Sequence, residues 1–301
     1  MIPKIIHLCF GMSPDFGGKP WSLVHHVCLA SAIKRIKPSE VLLHCTYEPD
    51  GPWWDLSRSF VTVCKMKAPD KIFGNPLRHV AHRADIVRLE QLLQTGGIYL
   101  DADVFVHRDF DSLLGNSTVM GEECENGATV GLGNSVILAE PQAPFLKRWY
   151  AEYRWFRSGG LDRYWDEHSV RVPYCLAKQS GDHITILPDT AFFSVPCTSE
   201  GLSKLFQSPE PIELSTEYAS HLWETLAWDP FLQNLTPGKV RAQQTNFHQW
   251  ARPFIEMLPD NYGSQGAECA RVETVNHLYS PVPNELFPRE LCPPVDTGFP
   301  V

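Results

Sequence analysis

Gly96-Gly97-Ile98-Tyr99-Leu100-Asp101-Ala102-Asp103-Val104 follows a helix-like stretch, His79 to Gln94, that contains His82-Arg83-Ala84-Asp85-Ile86-Val87-Arg88-Leu89. The order reads as helix, glycine stop, strand. Gly96 and Gly97 can take the left-handed conformation that ends a helix, and without Cβ atoms they let another backbone or a ligand come close. In the strand, a period of two puts Ile98, Leu100, Ala102 and Val104 on one face and Tyr99, Asp101, Asp103 and Phe105 on the other. Both carboxylates are therefore expected to leave the end of a buried strand in the same direction.

Working outward, Pro3-Lys4-Ile5-Ile6-His7-Leu8-Cys9-Phe10 is a short apolar run closed by Gly11, which its length and β-branching mark as a strand. Trp21 to Ile36 has helical spacing and is stopped by Pro38; Val41-Leu42-Leu43-His44-Cys45 and Phe60-Val61-Thr62-Val63-Cys64 read as further strands. Strands alternating with helices predict an α/β fold with an open, mostly parallel, twisted sheet flanked by helices. Beyond residue 110 the pattern loosens, with a strand at Val136-Ile137-Leu138 and an aromatic helix from Pro144 to Phe156. From Leu258 the prolines are too dense for regular elements, so residues 1–257 read as one α/β domain and 258–301 as an extended Pro-rich tail packed on it.

The 301 residues are 43% hydrophobic and 20% charged, enough to bury a sizeable core, with a formal charge of -9 and no basic run. A nucleic-acid partner is not expected. The nine cysteines are scattered with no zinc-like spacing, and no apolar run approaches about 18 residues. With no export leader in these residues, a reducing, cytoplasmic location is expected; a Golgi-lumen location would need further sequence. The sequons Asn116-Ser117-Thr118 and Asn234-Leu235-Thr236 matter only in the second case.

Two carboxylates at the end of a buried strand repel one another and lose hydration, which is costly unless a cation or several donors compensate. Hard oxygen ligands suit Mg²⁺ or Mn²⁺, which bridge carboxylates to substrate phosphates, and open α/β sheets bind ligands beyond the carboxyl ends of their strands. About one D-x-D triplet is expected by chance in a chain of this kind, so context decides. The second triplet, Asp109-Phe110-Asp111, lacks a glycine turn or apolar strand and reads as a loop or cap. Asp85 and Arg88, three apart on a helix and set among apolar neighbours, are either an ordinary ion pair or a pair facing the cleft.

These residues resemble a known family, the retaining glycosyltransferases with a glycine-rich D-x-D sugar-binding region (family 32). Its members typically open with I-P-K-I-I-H, as Ile2 to His7 do, and carry D-x-x-R followed by G-G-I-Y-L-D-x-D, here Asp85, Arg88 and Gly96 to Asp103. His221-Leu222-Trp223-Glu224 is similar to the histidine and tryptophan segment that closes their catalytic region, and the likeness covers roughly residues 1–230. The resemblance implies a GT-A-type fold, a nucleotide-sugar donor, a hydroxyl-bearing acceptor (glycan, lipid or small molecule) and a divalent cation, Mn²⁺ or Mg²⁺. It further implies that Asp103, Asp101 and His221 meet the metal and that Asp101, Asp103 and Arg88 form the catalytic set. Asp85, Arg88, Gly97, Tyr99, Asp101 and Asn134 would border the donor. Cys9 and Phe10 stand where many relatives place a tryptophan after the first strand.

Trp149, Tyr153 and Phe156 recur at helical spacing and read as core. Trp165-Asp166-Glu167-His168 could seat an acceptor or simply begin a helix. The alternative function is a glycan- or nucleotide-binding module without turnover, against which the retained acids argue. Metal-dependent phosphoryl transfer would use similar acids, but no P-loop glycine pattern is present.

Overall fold

The computed structural model describes residues 1–125, 127–179 and 183–264; the rest of the Pro-rich stretch, 265–301, lies outside them. The strands are Ile5–Cys9 (β1), Glu40–Cys45 (β2), Thr62–Lys65 (β3), a short ribbon of Lys71–Ile72 (β4) and Asn75–Pro76 (β5), Gly97–Leu100 (β6), Val104–Val106 (β7), Thr118–Glu125 (β8), Ala128–Ala139 (β9), Ile184–Leu187 (β10) and Ala219–His221 (β11). The helices that matter for the site are Leu23–Ile36 (α1), Pro52–Ser57 (α2) and Val80–Thr95 (α3), followed by Pro144–Glu152 (α4).

Among the described residues, seven strands form one sheet in the order β10-β8-β9-β6-β1-β2-β3. β9 runs antiparallel to both neighbours, while β1, β2, β3 and β6 pair in parallel, as do β8 and β10. This is the expected open, mostly parallel sheet, with helices on both faces. Ile98 and Leu100 enter the core with Ile6, Leu8, Val24 and Val27, whereas Tyr99 faces Ile86, Leu89, Ile137 and Trp149 on the other side. Trp149, Tyr153 and Phe156 are all buried in that second core, as their spacing suggests.

The helix–glycine–strand reading holds, and packing explains both glycines. Gly96 ends α3 at φ +65, and Gly97 continues at φ +129. A Cβ on Gly97 would lie 2.6 Å from the Ile5 carbonyl oxygen and 2.9 Å from His7 Nε2, so its missing side chain is what lets β6 lie against β1.

One expectation fails: the strand does not run through to Val104. β6 stops at Leu100, Asp101 N–H makes a last bond to Ser135 O (2.8 Å), and Val104 N–H then bonds back to Asp101 O (3.0 Å). The chain turns because β7 is taken by a different partner, pairing antiparallel with β11 at Val106↔Ala219, Phe105↔Ser220 and Val104↔His221. The Asp101-Ala102-Asp103 segment is thus a turn at the sheet's rim, and the alternation of faces ends before it.

Residues 259–264 lie against the domain: Tyr262 Oη donates to Pro52 O (2.8 Å) and Gly238 N–H to Asp260 O (3.0 Å). No helix among the described residues is long and apolar enough to cross a membrane.

Candidate active site

The turn brings the acids together by a different route from strand pleating. Asp101, Asp103 and His221 each place one ligand atom within 4.8 Å of the others'. β11 is what delivers the imidazole: its antiparallel pairing with β7 sets His221 opposite Val104, one residue past Asp103. His221 Nε2 lies 3.3 Å from Asp103 Oδ2, and His221 Nδ1 is buried without a hydrogen-bond partner among the described residues.

Asp103 is 7% exposed. Its Oδ2 accepts from the Glu224 N–H (2.8 Å) and its carbonyl from the Leu222 N–H (3.1 Å), so the turn and the His221 segment are laced together. Burial works to raise this carboxyl, but the His221 charge, its hydrogen bond and the Glu224 N–H outweigh it and hold Asp103 well below the usual carboxylate range. For His221, burial is the largest single influence and pulls downward, but the charge and hydrogen bond of Asp103, with the charges of Asp101 and Glu123, together outweigh it and leave the imidazole above its ordinary value.

Trp223, between these groups, sits at φ +56, ψ +48, a left-handed conformation unusual for a bulky residue, and its indole N–H is fixed on Val195 O (2.7 Å). Such strain costs about 1–3 kcal/mol and persists where surroundings over-determine it. Below, Glu217 accepts from Ser194 Oγ (2.7 Å) and Ser220 Oγ (2.5 Å), bracing β11. Burial lifts the Glu217 carboxyl to about 7.

A second network sits beside the first. Arg88 Nη2 is 3.4 Å from Asp85 Oδ1 and 3.3 Å from Asp101 Oδ1; its Nη1 donates to Asn134 O (2.7 Å), and the guanidinium lies 4.4 Å over the Tyr99 ring. Asn134 Nδ2 donates to Asp85 Oδ1 (2.8 Å), and Tyr99 Oη to Asp101 Oδ1 (2.6 Å). Asp85 and Arg88 form an ion pair on one helix face and also belong to a linked cluster with Tyr99, Asp101 and Asn134. Asn134 lies inside β9, not in a turn. Burial raises Asp85, an effect partly offset by Arg88, His82 and the Asn134 bond.

The structure therefore brings together Asp85, Arg88, Tyr99, Asp101, Asp103, Asn134 and His221, while Gly97 lies under β1 and serves by placing the strand. Asp109 accepts from the Asp111 N–H (3.1 Å) in a local cap, away from this cluster. Sequence reasoning missed Glu224, whose contribution to Asp103 is a backbone N–H and so leaves no side-chain signal. The Glu224 carboxylate is also 2.7 Å from His25 Nε2 and 3.7 Å from Lys19 Nζ, tying the segment to α1. Phe10, beyond β1, packs with Phe16, Trp21 and His25 at ring separations of 5.0–5.7 Å.

The donor set fits a divalent cation. It combines two carboxylates and an imidazole with an unpartnered nitrogen, at the carboxyl edge of a sheet, and each of Asp101 and Asp103 keeps one oxygen without a hydrogen-bond partner among the described residues.

Comparison with known proteins agrees. Residues 58–120 match the family described as "Glycosyltransferase sugar-binding region containing DXD motif". The chain is 35% identical over 265 residues to Glucan organizing enzyme 1 of Cryptococcus neoformans var. grubii, covering 85% of this chain and 71% of that protein. Among solved structures it is similar to the apo form of the glycosyltransferase GlyE of Streptococcus pneumoniae TIGR4, with 14% identity, TM-score 0.42, and 64% of this chain and 47% of that one covered. It is also similar to the galactosyltransferase LgtC in complex with donor and acceptor sugar analogs, with 13% identity, TM-score 0.38, and coverages of 72% and 86%.

Sequence kinship and the cluster at the rim place the molecule among the sugar-transferring enzymes. Within that class, the chain belongs to the glycosyltransferase family with a DXD-containing sugar-binding region.

Proposed function

We propose that the protein moves a hexose from a UDP- or GDP-sugar to a hydroxyl of an acceptor, with retention of anomeric configuration. The observation that carries this reading is the convergence of Asp101, Asp103 and His221 on one point at the rim. These three residues would hold Mn²⁺ or Mg²⁺. When bound, the ion acts as a Lewis acid on the donor's diphosphate, worth several kcal/mol of charge stabilisation.

The chain's own groups do the rest. Asp85 Oδ1 is held by Asn134 and Arg88, which leaves Oδ2 without a partner among the described residues, ready to accept from a sugar hydroxyl. Arg88 is enclosed by Asp85, Asp101 and Asn134 O, so it acts through them: it holds both acids in place. Tyr99 Oη donates to the same oxygen of Asp101 that faces Arg88 and so helps to orient it. The bond between the anomeric carbon and the diphosphate oxygen breaks, the acceptor oxygen takes its place from the same face, and the hydroxyl proton passes to the departing diphosphate. Retention is taken from the family resemblance, and same-face attack reaches it without a covalent intermediate on the chain.

A thermal-shift panel of UDP- and GDP-sugars tests this. A ligand at about 100 times its dissociation constant stabilises by about 2.7 kcal/mol, which raises the melting temperature by several degrees. The expected result is a rise with one nucleotide class that requires Mn²⁺ or Mg²⁺. No shift with any donor, with or without metal, contradicts the reading.

A further inference from the structure

Histidines that hold a metal usually donate their second ring N–H to a carboxylate or a carbonyl, which fixes the plane of the ring. His221 lacks that bond: with Nε2 toward Asp103, its Nδ1 is buried without a hydrogen-bond partner among the described residues. Its strand offers little help, since β11 is only three residues long. What surrounds the imidazole instead is aromatic. The Trp223 ring lies 4.2 Å away at 49°, and the Phe193 ring 6.1 Å away at 85°, an edge-to-face contact.

Phe193 belongs to a stretch that is bonded to the His221 segment on both sides of the ring. Phe192 O accepts from the His221 N–H (3.2 Å), Ser194 Oγ donates to Glu217 Oε1 (2.7 Å), and Val195 O takes the Trp223 indole N–H (2.7 Å). The Phe193 side chain is 3% exposed and has its back against the sheet. There Gly121 of β8 and Gly133 of β9 face each other in register, and a Cβ would come within 3.3 Å of the ring at the first and 2.3 Å at the second. The paired glycines make a bare seat for the ring, and a side chain at either place would drive it toward His221.

We propose that Phe193 is a positioning residue for the candidate metal centre: its ring, braced on Gly121 and Gly133, fixes the plane of the His221 imidazole so that Nε2 points at Asp103. The proposal rests on the metal reading of Asp101, Asp103 and His221 given above and adds the group that aims one of them. Aromatic packing here does what a hydrogen bond does in other metal sites. Leucine at 193 would fill part of the seat but leave a gap beside the imidazole, which would then be free to turn about its Cβ–Cγ bond and carry Nε2 away from Asp103. Trp223 stays on its Val195 bond, so the change is confined to the freedom of the His221 ring. Phe193 carries no charge, so its loss acts on a cation through geometry alone.

The test is the Mn²⁺ affinity of the full chain, read by electron paramagnetic resonance of free Mn²⁺ without nucleotide, beside a melting curve for each variant. Phe193→Leu is expected to weaken Mn²⁺ binding by about tenfold, the low end of what losing the group that orients a metal-bound histidine costs. Phe193→Met, whose flexible chain fills the seat more fully, guards against a folding defect and is expected to show a similar loss. Phe247→Leu removes a fully buried ring that packs with Phe206 and His248, and is expected to lower the melting temperature with Mn²⁺ affinity unchanged. Wild-type affinity in both Phe193 variants overturns the proposal, as does an equal loss in Phe247→Leu. A metal-free readout separates the proposal from the metal assignment: the His221 ring signals in a proton–nitrogen correlation NMR spectrum should be sharp in the wild type and broadened in Phe193→Leu. A wild-type protein that binds no Mn²⁺ but shows this contrast counts against the metal reading alone, whereas absence of the contrast overturns the proposal.

Discussion

Asp103→Asn should reduce sugar transfer by about 10³-fold or more, equivalent to about 4 kcal/mol of transition-state stabilisation, while leaving the chain folded. The amide keeps an oxygen for the Glu224 N–H, so the lacing of the turn to the β11 segment survives. What it loses is the charge that faces His221 and that a cation would need. Stability against pH supplies an independent readout. Asp103's folded pKa is depressed, so its stabilising contribution is present above its unfolded value and fades as pH falls below about 4. Urea unfolding of the wild-type protein should show that acid loss, and the Asn variant should show less of it. Near-normal turnover in Asp103→Asn would remove the residue from the chemistry.

Arg88→Met should destabilise the protein by about 3–5 kcal/mol near neutral pH, because it leaves two carboxylates and the Asn134 carbonyl without their buried partner. Methionine fills much of the same volume, so the loss is electrostatic and not a cavity effect. The sign of the pH dependence follows from Asp85. Burial already raises its folded pKa, and removing Arg88 removes the largest force that opposes burial. A carboxyl whose folded pKa is raised is penalised as pH climbs through that value, so the variant's deficit should shrink as the pH is lowered. Denaturation midpoints of variant and wild type across pH check this. A deficit that is flat with pH, or below about 1 kcal/mol throughout, would mean that Arg88 does not hold the network together.

The parts of the fold visible in the sequence are those whose signal is local. β1, β2 and α1 are short apolar or periodic segments bounded by Gly11 and Pro38, and α3 is closed by Gly96, so each can be read without knowing its neighbours. β9 could not be read that way. Only Val136 to Leu138 look like strand, yet it spans Ala128–Ala139, because Gly131 and Gly133 are there to admit Val170 and Phe193. A Cβ at Gly133 would come within 2.3 Å of the Phe193 ring, a constraint set by residues far along the chain.

The site divides similarly. Asp85 and Arg88 are legible from spacing because helix geometry places them, and Asp101 because it directly follows the last residue of β6. The expected alternation of faces beyond Leu100 failed because β11, only three residues long and without periodicity, captures β7 and turns the chain. His221 was reachable only through likeness to the family, since nothing local distinguishes it from a buried core histidine. Glu224 was not reachable at all, because its part is played by a backbone N–H.

A crystal grown with Mn²⁺ and a nucleoside diphosphate tests the central claim most directly, using anomalous scattering from the metal. The account predicts one anomalous peak within about 2.5 Å of Asp103 and His221, with Asp101 bound directly or through water and the diphosphate on the open side. A nucleotide bound with no peak at those residues, or with the metal held elsewhere, would contradict it.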